Sequence, residues 1–567
     1  MVQDWTARHA VYAWSGPAEK MFAAQRDPRA VWSWESAFKS RGFPWLGFPD
    51  PFRFWPHRPE RFRWHRDWSI SLGSPGVAPN TYPAKFTFDV NATPDCANDF
   101  VVYALNTHGS ATQANLVAFK ALYSGTSPAG ICNRVPTPAD VGTTAVVDWA
   151  VLVATSGVNG SLSTSPSLSL DGAKVAFVES ASLTPAEFHV LAWAAGAGFD
   201  GGNWQSVASP SIVNSFVPIA PKEGSGNATH LTLGSSATDS DTFSSPFVDY
   251  GNDVAYVGND GGKLFRIKDV FCTVDPACTG STPPVPSLDT TWGTSGVVTV
   301  GPGSCAGEST SILTGPVRDS VTGNVFVGCA DGKLYGFDST GAPLTIPSVT
   351  VGDGTTDGGV VDPPIVDSVN GFVYATSGSA SGGTAVLVQA KTDLSSPLTA
   401  TLGMGGVHNL YDGAFNDAYF SSATSTAWQF YAQGYDGAGA NALLYGAAFN
   451  ADRTLVTGTP ANSLALPGGA LEWSPLTEVL NGTTDELFLG SIATAGTLDA
   501  FTINTFPAGT SATSSQPGGP SGIVVDNVST QNQASSIYFS DLGTSTCQAP
   551  SGATGYCAVK LTQAGLL

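Results

Sequence analysis

Charge is what this sequence has least of: Asp, Glu, Lys and Arg make up 12% of its 567 residues, against roughly a quarter in an ordinary soluble domain. Methionine is almost missing, at 3 residues. So little Glu and Lys excludes a helical bundle, whose solvent faces need them. No run of 18 apolar residues occurs, so the chain offers no transmembrane segment. Its start, MVQDWTARHA, lacks the basic-then-apolar order of a secretory signal. Also missing are HExxH, CxxC, CxxCH, GxSxG, GxxxxGK[ST] and a GxGxxG between strand and helix, which removes the common zinc, haem, nucleotide and nucleophile-elbow signatures. A serine nucleophile stays open, because its partners need not be sequence neighbours.

What is present is 65 glycines with abundant Ser, Thr and Ala, and 42% hydrophobic residues. That mixture suits many short strands joined by small-residue turns around a large core. Net charge is −21, unevenly spread. Residues 1–66 hold nine arginines and two lysines against six acids, together with seven of the fourteen tryptophans. The remainder is strongly acidic and would repel nucleic acid and anionic membranes. The first 66 residues follow neither strand nor helix periodicity. We read them as a segment that is disordered or outside the mature fold, with a nucleic-acid or membrane-interface arm as the alternative.

Eight cysteines fall into four local pairs: Cys96 with Cys132, Cys272 with Cys278, Cys305 with Cys329, and Cys547 with Cys557. An even count of near neighbours reads as disulfides stapling single loops, and hence as an extracellular or periplasmic protein. Five Asn-x-Ser/Thr sequons, at Asn91, Asn159, Asn227, Asn481 and Asn527, fit an exported surface.

The organising feature is a repeat. Residues 244–268, SSPFVDYGNDVAYVGNDGGKLFRIK, return as 314–338, TGPVRDSVTGNVFVGCADGKLYGFD, and more loosely as 362–391. Each copy runs proline, two residues, aspartate, a Gly/Asn turn, a strand, a Gly-rich turn and a second strand. Eight units follow this pattern, near 82–154, 165–219, 244–300, 314–351, 362–403, 413–449, 474–507 and 521–563. Their first-turn anchors are Asp89, Asp171, Asp249, Asp319, Asp367, Asn416, Glu478 and Asp526. Tandem units of about four strands bury both faces by closing into a propeller. The eighth unit has only three strands, and WSISLG at 68–73 stands alone before the first. The expected fold is therefore all-β: a single eight-bladed propeller over 67–567, of four-stranded antiparallel blades, with that N-terminal strand closing the last. Seven blades is the alternative count.

The units resemble the PQQ-like (quinoprotein-type) β-propeller repeat, most closely over 257–264 and 327–338 with their YVG and DGKLYGFD strands. That family includes eight-bladed dehydrogenases and non-catalytic scaffolds. The resemblance implies the fold but not the cofactor. Asp338-Ser-Thr-Gly approaches the dehydrogenases' docking pattern without its tryptophan, and there is no vicinal cysteine pair.

Candidate chemistry is sparse. The repeated acids precede Gly or Asn in tight turns, where Asp bonds its own backbone. The histidines outside the first segment, His108, His189, His230 and His408, are scattered and do not suggest a zinc site. His408, in the Gly-rich GGVHNLYDG, is the ligand candidate. Asp353, Asp357 and Asp362, in GDGTTDGGVVD, are the candidate ligands for calcium. No other cofactor is expected. These features point to an exported, non-catalytic binding or scaffolding module taking a protein or glycan ligand on its loop face or in its funnel. The alternatives are an extracellular polysaccharide-active enzyme with funnel carboxylates and a self-assembling surface-layer or filament subunit.

Overall fold

The structure, a computed structural model, describes residues 2–3, 5–11 and 64–563 apart from several connecting stretches, the longest being 88–94, 124–144, 193–229, 273–283, 306–312 and 527–535. Eight antiparallel sheets follow one another around a ring, an eight-bladed β-propeller. Their innermost strands are short: Ala84–Phe86, Ser167–Leu168, Phe247–Asp249, Val317–Arg318, Ile365–Asp367, Ala414–Phe415, Thr477–Asn481 and Val524–Asp526. The innermost strand of blade eight touches that of blade one, which closes the ring.

Blade four shows the logic. Val317–Arg318, Val325–Gly328, Lys333–Phe337 and Pro343–Thr350 pair in sequence order from the channel outward. Val325–Gly328 is wholly buried, because both of its faces meet neighbouring blades, whereas Pro343–Thr350 is largely exposed. Hydrophobic side chains therefore concentrate in the middle strands, and the outer strand carries little apolar signal. That is why the sequence left units six and seven without fourth strands. They are Asn462–Ala465, NSLA, and the polar Thr510–Ser515, TSATSS, neither with an apolar alternation. In blade two the outer strand is His230–Thr232; the stretch 211–219, where sequence placed it, lies outside the described residues. In blade three the outer position is split between Ser287–Leu288 and Val297–Thr299.

The closing strand is Trp64–Gly73, antiparallel to Thr554–Gln563 as the outer strand of blade eight. It starts four residues before the expected WSISLG, and its register shifts between Arg66 and Trp68. Trp68 is fully buried between the rings of Phe119 and Tyr538, and its Nε1 donates to the Leu122 carbonyl at 3.0 Å. Truncating such a tryptophan costs about 3–5 kcal/mol. Beneath it lies a buried ionic seam. Lys560 Nζ meets Asp67 at 2.7 Å, and Lys85 Nζ meets Asp526 at 2.8 Å and Asp99 at 3.8 Å. The Tyr123 hydroxyl accepts from Lys85 at 2.7 Å and donates to Asp99 at 2.8 Å.

Because strands alternate direction, the loops joining first to second and third to fourth strands open on one face of the ring, the turn face. The remaining loops and the blade-to-blade links open on the other, the connection face. Val2–Gln3 pairs antiparallel with the inner strand of blade one, and Ala10–Val11 pairs parallel with that of blade five. Those blades are opposite in a ring of eight, so the described residues 2–3 and 5–11 reach from one side of the central channel to the other. The inner strands would otherwise leave their edge N–H and C=O groups unpaired. The expectation of a first segment wholly apart from the ring is thereby narrowed to residues 12–63, which lie outside the described residues.

Candidate functional site

Three of the repeated acids, Asp249, Asp319 and Asp367, are occupied by local structure. Asp319 Oδ1 accepts from the Val321 N–H at 3.0 Å, and Asp367 Oδ1 from Val369 and Asn370 at 3.1 and 3.0 Å. Asp249 does the same with Gly251 and Asn252. Each such turn then needs a left-handed residue, supplied by Gly323 and Gly371 at φ of 80° and 75°. These three carboxylates cap turns.

The connection-face mouth of the channel is filled by the chain itself. The Arg8 guanidinium donates to Asp412 Oδ1 at 2.9 Å and contacts the Tyr82 hydroxyl and the Leu476 carbonyl. His9 is fully buried, its Nδ1 3.4 Å from Asp412 Oδ2, and its carbonyl accepts from the Val366 N–H. Burial pushes the Asp412 carboxyl well above the usual range. Arg8 opposes that and Asp362 adds to it.

A cleft between blades six and seven, on the turn face, is built differently. It encloses about 600 Å³ and is lined by Asp417, Gln429, Tyr431, Asp485, Asn504 and Phe506 among others. Asn416 replaces the usual turn aspartate and caps the helix Asp417–Ser421, accepting from the Tyr419 N–H at 3.2 Å. The Asp417 N–H donates to Asp485 Oδ2 at 3.0 Å. In blade seven the turn acid is Glu478, and Asp485, across the hairpin from Leu480, is its diagonal neighbour on the same face. Asp485 is only 4% exposed. Neither Asp485 Oδ1 nor Glu478 Oε1, both shut off from solvent, meets a hydrogen-bond donor among the described residues. With one proton between them the two carboxyls bond to each other. Burial pushes Asp485 up to about 6. Burial, the Asp485 charge and Asp417 drive Glu478 well above its usual range. A carboxyl and a carboxylate sharing a proton at the wall of a polar cavity can take a cation or exchange a proton.

The residues singled out from sequence lie elsewhere. Asp353 Oδ1 accepts from the Thr355 N–H and hydroxyl, and its Oδ2 from Ser379 Oγ at 2.7 Å. Asp362 is buried and accepts from the Asp412 N–H at 2.8 Å. Among the described residues, Asp353, Asp357 and Asp362 are not brought together within reach of one ion. His408 is half-buried on the connection face, and its carbonyl accepts from the Tyr435 hydroxyl at 3.4 Å. Cys305–Cys329 and Cys547–Cys557 are disulfides, each with Cα atoms 5.8 Å apart. Cys96 and Cys272 are also disulfide-bonded; Cys132 and Cys278 lie outside the described residues. No helix among the described residues is long and apolar enough to cross a membrane.

No protein-family model matches the chain, and no curated protein matches it. Solved structures similar to it include BamB from Moraxella catarrhalis, at 13% identity and TM-score 0.38, over 88% of this chain and 97% of that one. The Dos1 propeller is similar at 10% identity and TM-score 0.43, over 88% and 95%. The C-terminal WD40 domain of Sif2 is similar at 9% and 0.43, over 88% and 98%. At these identities the likeness concerns the propeller fold.

Proposed function

We propose that this chain is an exported, non-catalytic binding module whose partner presents a cationic group, a lysine or arginine side chain of a protein, to the cleft between blades six and seven. The observation that carries this reading is the buried Asp485, with an Oδ1 that meets no donor, at the wall of that cavity. An entering ammonium or guanidinium would replace the shared proton with a charge-assisted hydrogen bond. Occupation of the channel by residues 2–11 favours the cleft over the funnel as the binding place. The two disulfides support an extracellular or periplasmic setting. We also propose the PQQ-like kinship, on the repeat in 314–338 alone.

Calorimetric titration with a lysine- and arginine-containing peptide and its acetylated, citrulline-substituted counterpart tests the reading. The cationic peptide is expected to bind at physiological salt, more tightly as pH rises through about 6, and at least tenfold more weakly to D485N. Equal affinity of the two proteins, or of the two peptides, overturns it.

A further inference from the structure

Blade two brings together four residues that sequence spacing had scattered. Its second strand, Lys174–Glu179, ends in Glu179; its third, Glu187–Ala192, begins with Glu187 and carries His189 two positions on; its outer strand, His230–Thr232, begins with His230. The register sets Glu187 directly across from Glu179 and His189 directly across from His230. Residues opposite each other, or two apart on one strand, share a face of the sheet. All four therefore lie on one face, the one whose Phe177 and Leu191 pack against blade one.

From this geometry we infer a divalent transition-metal site, with zinc as the best-fitting ion, held by Glu179, Glu187 and His189 with His230 as the fourth ligand. One donor atom each from Glu179, Glu187 and His189 lies within 4.8 Å of the others. His189 Nε2 is 3.0 Å from Glu179 Oε2 and 3.8 Å from Glu187 Oε2. Metal–ligand bonds of about 2.1 Å in a tetrahedral site put donor atoms about 3.4 Å apart, which those two separations bracket. The His230 ring centroid is 5.8 Å from that of His189, so a side-chain rotation carries it to the fourth position. His230 is exposed while the other three are buried, which gives the ion a route from solvent.

The donor set chooses the ion. Two imidazoles with two carboxylates suit zinc and its neighbours, whereas calcium and magnesium take all-oxygen shells. The backbone makes room for the arrangement: a Cβ at Gly160 would stand 1.9 Å from Glu179 Oε1. The site's place in the fold gives it a role. No cysteine occurs between Cys132 and Cys272, so blade two has no disulfide of its own. An ion bridging its second, third and outer strands would fasten the outer strand there, as the disulfides fasten other blades.

The full chain, stripped with a chelator, would be titrated with zinc chloride, its retained metal counted after gel filtration, and loaded in parallel with cobalt(II). One tightly held equivalent is expected, with the intense visible absorption of four-coordinate cobalt and a thermal midpoint raised by zinc. H189A should lose at least tenfold in zinc affinity, and E187Q, at a less buried position, should lose affinity while remaining folded. A wild-type chain with intact β circular dichroism that retains no zinc overturns the proposal. So does unchanged zinc affinity in E187Q. If H189A fails to fold, E187Q and the cobalt spectrum of the wild type decide.

Discussion

At the seam between blades eight and one, Asp67, Asp99 and Asp526 are buried beside Lys85 and Lys560; between blades six and seven, the half-buried Glu478 lies beside the buried Asp485. Both sites lie between blades, where neighbouring sheets pack face to face. The difference is in what offsets the removal from water. In the seam, each acid meets an ammonium within hydrogen-bonding or near-contact distance, two ammoniums serving three carboxylates, and the blades are drawn together. In the cleft there is no ammonium among the lining residues, and the acids meet the cost by holding a proton. Buried acids that each meet an ammonium read as structure, and an acid pair kept protonated beside a cavity reads as a place for something else.

The comparison breaks first at Lys85. K85M leaves Asp526 and Asp99 buried without their ammonium, and a loss of about 3–5 kcal/mol is expected by urea denaturation. Adding D526N should restore part of it. A change below 1 kcal/mol for K85M would mean that the closing strand alone holds the ring, contrary to the seam's assigned role.

Asp485 gives the opposite sign. Its folded carboxyl, at about 6, binds a proton more tightly than in the unfolded chain. Its stabilising contribution is therefore full below about pH 4 and is lost as pH rises through about 6. D485N should be nearly neutral at pH 4 and more stable than wild type at pH 7, by on the order of 2 kcal/mol. A stability difference that does not grow with pH would remove the shared proton from the account.

The smallest effect is expected at a turn. D319A removes the acceptor for the Val321 and Thr322 N–H groups, at about 1–2 kcal/mol. Its affinity for the cationic peptide should equal that of wild type. A weakened peptide would instead make the turn acids part of the binding surface.

Most of the ring was legible in the sequence because its signals are local. The Pro-x-x-Asp-turn-strand unit repeats whole, and WSISLG could be matched to the missing strand of blade eight because a closed ring must pair its last edge. The outer strands Asn462–Ala465 and Thr510–Ser515 were not legible, since a strand with solvent on one edge needs no apolar alternation. Sequence grouped Glu478 with the turn aspartates. Blade three also has a second acid at its hairpin, Asp253, but the Phe271 and Cys272 N–H groups occupy it at 2.7 and 2.6 Å. Whether a second acid finds such donors depends on a third strand's path, which no local pattern records. The same holds for His189 and His230, 41 residues apart and brought opposite by register alone.

Residues 2–11 have a mechanical consequence. A propeller is a hoop of sheets, and a hoop deforms most easily by ovalling, one diameter lengthening as the perpendicular one shortens. Backbone hydrogen-bonded to blade one at one end and blade five at the other is a spoke along one diameter. It resists lengthening along that line. A force that pulls blade one outward is therefore felt at blade five, across the molecule, without passing through the three blades on either side.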